Sequence, residues 1–162
     1  MTGATSRRKG HRFETEVAAF LRDRGFPGQT TTRNALGHGG TRQPGDVYVA
    51  DAVAPLAIEC KNVASSQYPT WLRQAAEQAG DAVPVVVRKT AGSSDIAAFP
   101  TVLPLKDYMG RLNGLDPLVT VVRTRCEAEE LVARYGRVRW IDDHGNRWAV
   151  VRFGELVRAA RP

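Results

Sequence analysis

Residues 45–62, GDVYVADAVAPLAIECKN, constrain the fold more than any other stretch of the chain. Apolar runs at 47–50 and 56–60, separated by a turn ending in Pro55, predict a β-hairpin. The second strand nevertheless carries Glu59 and Lys61 behind Leu56, Ala57 and Ile58, and burying charge costs several kcal/mol unless each charge finds a partner. Side chains alternate along a strand, so Glu59 and Lys61 share one face while Cys60 points to the other. A turn near 52–55 brings Asp46 across from residues 59–61, and two carboxylates and an ammonium then converge. Close carboxylates repel unless a cation sits between them, and hard oxygen donors suit Mg²⁺, with Mn²⁺ as a substitute. A lysine beside such a site orients or deprotonates an attacking water and steadies developing negative charge. The plain alternative is an ion pair at a strand end, with Asp46 as a turn residue after Gly45.

Elements follow on either side. Phe13, Val17, Phe20 and Leu21 recur at helical spacing, which predicts an amphipathic helix over 9–24 stopped by Gly25, after a flexible basic arm at 1–8. A short strand is expected at 30–33, then a Gly-rich loop, NALGHGGTRQPG, at 34–45. Pro69 opens a second helix that Gly80 closes, and the β-branched run 83–88 after it completes a βαβ crossover. A strand at 101–103 and a short helix over 104–112 lead to NGLDP, a boundary. Beyond it lie a run at 118–123, a helix near 127–135, a hairpin around DDHGNR and a last helix near 154–160. The organisation predicted is a core at 9–112 and a small C-terminal α+β extension at 116–162, packed on or adjoining it.

The polar, basic opening MTGATSRRKGHRFET has no apolar signal region, and no later run reaches the roughly 18 apolar residues of a membrane span. We therefore expect a cytoplasmic protein with no membrane partner. Cys60 and Cys126 stand far apart in no CxxC arrangement, which argues against a zinc site or a disulfide framework. The net charge of +6 comes almost wholly from arginine, a residue suited to bidentate phosphate contacts. It points towards nucleic acid, although coding bias alone also produces arginine-rich chains.

The D…ExK array resembles that of the PD-(D/E)XK nucleases, and the wider pattern is similar to the archaeal-type and phage Holliday-junction resolvases. The likeness covers about residues 7–110: KGHRFETEVAAFLRDRGF, Arg33 and the Gly-rich loop, PGDVYV, IECK, a helix bearing Gln74, and VPVVVRK. The resemblance implies a restriction-endonuclease-like α/β core, a central mixed β-sheet flanked by helices. It also implies in-line hydrolysis of DNA that leaves a 5′ phosphate and a 3′ hydroxyl, with no organic cofactor. Asp46 and Glu59 would be the central metal ligands, the Cys60 carbonyl a further one, and Glu14 the helical acid that binds or supports the metal. Lys61 would be the base or water-positioning group. Gln74 would be the helix glutamine that organises the site, with Gln78 one turn on as its competitor. Periodicity scarcely separates Glu14 from Glu16; the resemblance chooses Glu14. Two departures stand out: Gly45 intervenes between Pro44 and Asp46, and the loop has His38 where a serine is usual.

Branched DNA, most specifically a four-way junction, is the substrate the resemblance implies, cut by a homodimer. A compact, arginine-rich resolvase of this form suits a phage, and then the host cytoplasm. Arg7, Arg8, Lys9 and Arg12 at the first helix, and Arg33 and Arg42 around the loop, are the candidate phosphate contacts. With a two-residue turn at His144-Gly145, residue 139 faces 150 and residue 137 faces 152. One face then carries Val138, Trp140, Ala149 and Val151, and the other shows Arg137, Arg139, Trp148 and Arg152, a second surface for DNA or a protein. Two rivals remain, a nuclease of the same superfamily acting on flapped or duplex DNA and a module that binds DNA without cutting it.

Overall fold

The computed structural model describes residues 3–26, 29–30, 45–64, 67–114, 122, 124–142 and 144–162. Arg33, His38 and Arg42 lie outside them, as do most of the expected strand at 30–33 and of the run at 118–123. The hairpin read from the charged stretch forms as expected: β2 (Val47–Val49) runs antiparallel to β3 (Leu56–Lys61), with Val47 opposite Ile58. The helix α2 (Tyr68–Ala79) then carries the chain to β4 (Val83–Arg88), parallel to β3. Pro69 sits in the first turn of α2, where its missing N–H costs nothing, and Gly80 follows the last turn with φ of +57°.

The sheet grows outward from this unit. A two-residue β1 (Gln29–Thr30) pairs with β2 at one edge. On the other side β5 (Pro100–Pro104) runs antiparallel to β4, and β7 (Arg147–Arg152) pairs with β5 over five positions. With β6 (Arg137–Ile141) last, the described residues form one sheet of seven strands in the order β1-β2-β3-β4-β5-β7-β6. It is mixed, with β3 and β4 as the parallel pair of strands at its centre, and Val122 adds an isolated parallel bridge to Trp140 outside β6.

Helices cover both faces. Phe13, Val17, Ala18 and Leu21 form the buried stripe of α1 (Gly3–Arg22), packed with Leu56, Ile58 and Val85. The short α3 (Leu105–Gly110) and α5 (Phe153–Ala159) share that face through Tyr108, Phe153 and Leu156. On the opposite face Tyr68, Trp71 and Leu72 of α2 meet Ala128 and Val132 of α4 (Arg125–Tyr135) over Val86, Val102, Val138 and Val150. This is the α/β core with a mixed sheet flanked by helices that the sequence predicted.

Two expectations need correction. Residues 3–8 are the first turns of α1, so the helix begins where a flexible arm was expected. The β6–β7 register is also one residue off: Arg137 pairs with Val151, Arg139 with Ala149 and Trp140 with Trp148. Asp142 is the cause. Its carboxylate accepts the amides of His144 and Asn146 at 3.0 and 2.9 Å, and the Gly145 amide bonds its carbonyl at 2.9 Å. The Asp142 amide also donates to the Asn146 carbonyl at 3.1 Å, so the strands close at these two residues, with Gly145 at φ +79°, rather than around a two-residue turn at His144-Gly145.

Candidate functional site

Gly45 sets the geometry of the hairpin's mouth. Its φ of +76° is open to glycine, and a Cβ there would stand 2.9 Å from both the amide nitrogen and the carbonyl oxygen of Ile58. The inserted glycine is therefore what lets the chain cross β3 at contact distance and deliver Asp46. The Asp46 amide donates to the Ile58 carbonyl at 2.9 Å, and its Oδ2 accepts the Cys60 amide at 2.9 Å. The paired register ends at Val47 opposite Ile58, so Asp46 lies just beyond it, bonded to residues 58 and 60 at the near end of the stretch that pairing arithmetic indicated. The amide and carbonyl of one strand residue emerge on the same edge, so the Cys60 carbonyl also faces this mouth. Its thiol points into the core with Leu56 and Ile58, where burial pushes it well above the ordinary range, and it is no nucleophile.

Glu59 and Lys61 are half-buried on the face that packs against α2, and Lys61 Nζ donates to Glu59 Oε1 at 2.5 Å. The ammonium also stands 5.8 Å from the Trp71 ring. Burial is the main reason that Asp46 is raised from 3.8 to about 6, and the charge of Glu59 pushes the same way. The Cys60 amide opposes both, and Glu14 adds a further upward push. Two carboxylates in one negative field are the beginning of a cation's donor set.

Glu14 and Glu16 part company in space. Glu14 is within electrostatic reach of Asp46 and is bonded by His11 Nδ1 at 3.3 Å. Glu16 turns aside to Lys89 at 2.6 Å and Arg12 at 2.9 Å, and the Lys89 hydrogen bond is the main reason its carboxyl lies below the ordinary range. Among the described residues, no three His, Cys, Asp or Glu side chains stand close enough together to hold a metal. The donors available to a metal are thus the two carboxylates of the hairpin and the Cys60 carbonyl, with Glu14 beside them. Such a set fits Mg²⁺, which is commonly held by one or two carboxylates, several waters and a substrate phosphate.

The remaining candidates disperse. Gln74 and Gln78 are both exposed on α2, and among the described residues no hydrogen bond ties either to the acids. Arg7, Arg8, Lys9 and Arg12 lie along the first half of α1, with Arg12 paired to Glu16. The tail arginines do not form the surface expected of them. Trp148 lies on the Val138–Trp140 face and donates its indole N–H to Asp142 at 3.0 Å. Arg152 is on that face too, but it caps α4 by donating to the carbonyls of Val132 at 3.2 Å and Ala133 at 2.5 Å. Arg137 and Arg139 are partly buried on the opposite face with Ala149 and Val151.

Sequence reading missed two ion pairs at the end of β4. Arg88 Nη2 meets Glu129 of α4 at 2.8 Å, and Lys89 meets Glu16 of α1. The run VVVRK placed the two cations side by side, but their partners lie too far along the chain for any local signal.

Residues 5–124 match the model of a protein family described as "Phage putative PDDEXK endonuclease". No curated protein and no solved structure matches the chain.

Proposed function

The chain belongs to this family of phage PDDEXK endonucleases, and from that premise we propose that it is a Mg²⁺-dependent endonuclease that resolves four-way DNA junctions. The observation that supports the reading most is the meeting of Asp46, Glu59 and Lys61 at the mouth of one hairpin. Asp46, Glu59 and the Cys60 carbonyl would hold the metal, and Glu14 would support it from α1. A divalent ion bound there lowers the pKa of water and offsets charge on the phosphate.

The side chains supply the rest. Lys61, oriented by Glu59 and by the Trp71 ring, is placed to position the attacking water and to steady negative charge on the phosphate. The Cys60 amide fixes the Asp46 carboxylate, so the ligand pays less ordering entropy when a metal arrives. Gln74 is assigned to the site by the family resemblance alone. Symmetric cutting of two opposed strands requires two such sites, which argues for a homodimer.

The test is cleavage of labelled four-way junction, flap and linear duplex of matched sequence, with Mg²⁺ or EDTA. Paired nicks confined to the junction, dependent on metal and lost in Asp46→Asn, are expected. Equal cutting of duplex would replace the resolvase by a general nuclease, and tight binding without cutting in any metal would reduce the protein to a DNA-binding module.

A further inference from the structure

Of the chain's 23 basic residues only four are lysines, Lys9, Lys61, Lys89 and Lys106, and three of these line a single cleft. The cleft has a volume of about 620 Å³ and opens between α1 and the ends of β3 and β4. Arg88 is its fourth cation, Val63, Ala64 and Ala91 contribute apolar surface, and among the described residues no carboxylate lines it.

The acids stand behind the cations instead. Lys61 is held by Glu59 at 2.5 Å, Arg88 by Glu129 at 2.8 Å and Lys89 by Glu16 at 2.6 Å. Lys89 also lies 5.5 Å from the Phe13 ring, and Asn62 Nδ2 donates to the Lys9 carbonyl at 3.4 Å, tying α1 to the rim. A chain that elsewhere uses arginine thus places compact point charges here, which meet a phosphate from any angle where arginine demands a planar fork.

We propose that Lys9 and Lys89, with Arg88, form a phosphate track that holds the backbone of the DNA strand next to the bond that is cut. This rests on the nuclease reading of the adjoining hairpin. The lining presents four cations, with the acids paired to three of them set outside it, which favours a polyanion as occupant, and its continuity with Lys61 and Cys60 sets that polyanion beside the proposed site of hydrolysis. Every Lys89 contact made by the DNA releases a counterion, so the track leaves a mark in salt dependence.

The experiment uses the cleavage-deficient Asp46→Asn protein and a linear duplex and a four-way junction of matched sequence, with binding measured across a salt series. Adding Lys89→Gln should weaken binding of either DNA about tenfold and reduce the slope of log K against log salt by about one. Glu16→Gln breaks the same ion pair but leaves the cation, so binding should hold or tighten. Lys89→Arg should restore the slope. If Lys89→Gln and Glu16→Gln weaken binding alike, the pair merely fastens α1 and the track is wrong. An unchanged slope in Lys89→Gln also overturns it, while cleavage by the native chain would leave the nuclease reading standing. If the native chain neither binds nor cuts any of these DNAs, both fall together.

Discussion

Asp46 and Asp142 each stand at one end of a hairpin strand, near a glycine with positive φ, yet their carboxylates meet opposite surroundings. Asp142 accepts from the amides of His144 and Asn146, from Asn146 Nδ2 at 2.9 Å and from the Trp148 indole. Burial alone would raise it, but these donors outweigh burial and hold it below the ordinary range. Asp46 takes the Cys60 amide, faces Glu59 and is pushed up to about 6. The difference teaches which acid is structural. A carboxylate whose lone pairs are filled by the chain has finished its work on folding, whereas one left short of donors beside a second carboxylate keeps capacity for a cation.

The largest effect should come from Asp46→Asn. Cleavage should fall on the order of 10³-fold, the scale of losing one charge-stabilising group from a hydrolytic site. The same change should stabilise the metal-free protein, because the neutral amide still accepts from Cys60 without the cost of a buried charge in the field of Glu59. Roughly 1–3 kcal/mol is expected from the raised pKa, read as a higher Tm in EDTA. A variant that loses cleavage together with stability would break the contrast, since Asp46 would then be a structural acid like Asp142.

The two glycines sharpen it further. Gly45→Ala brings a Cβ within 2.9 Å of the Ile58 backbone at a φ of +76°, and should cost about 2–4 kcal/mol while displacing Asp46. Gly145→Ala meets nothing within 4 Å and carries the backbone strain alone, about 1–2 kcal/mol. Denaturant midpoints of the two variants measure the gap, and equal losses would mean that the close approach to β3 does not matter. Next in size, Asp142→Ala leaves its donors unmatched and should cost about 2 kcal/mol, with cleavage per folded molecule retained. Loss of cleavage in the folded Asp142→Ala protein would move that acid into the functional class.

The same pair shows what was legible in the sequence. The β2–β3 hairpin could be placed because its apolar alternation and its turn agreed, and Asp46 therefore fell beside the stretch that carries Glu59, bonded to Ile58 and Cys60. The β6–β7 hairpin slipped by one residue because a side chain, not a turn dipeptide, set the loop. Asp142 reaches over to Asn146, and that single capture moves Trp148 to the other face and dissolves the surface expected of Arg137, Arg139 and Arg152. The start of α1 was missed for a different reason, since residues 3–8 offer no apolar periodicity to read. Partners such as Glu16 for Lys89 or Glu129 for Arg88 are set by tertiary packing and leave no local trace.

The smallest effect is a pH dependence with opposite signs at the two aspartates. Asp46 rises from 3.8 to about 6 on folding, so the folded chain keeps its proton where the unfolded chain has released it. Its contribution to stability is present below about 3.8 and is lost as pH rises through about 6. Asp142 is lowered, so its contribution is present above 3.8 and is lost as pH falls through its depressed value. In EDTA, the stability gained from Asp46→Asn should therefore grow between pH 4 and pH 7, by at most about 3 kcal/mol. Mg²⁺ should shrink that gain at pH 7, because a cation bound to the folded state stabilises the native chain and has no charged Asp46 to meet in the variant. Urea midpoints at the two pH values, with and without Mg²⁺, measure both. A gain that ignores pH would show that Asp46 ionises as an ordinary carboxylate, and one that ignores Mg²⁺ would show that the hairpin's two acids hold no cation before DNA arrives.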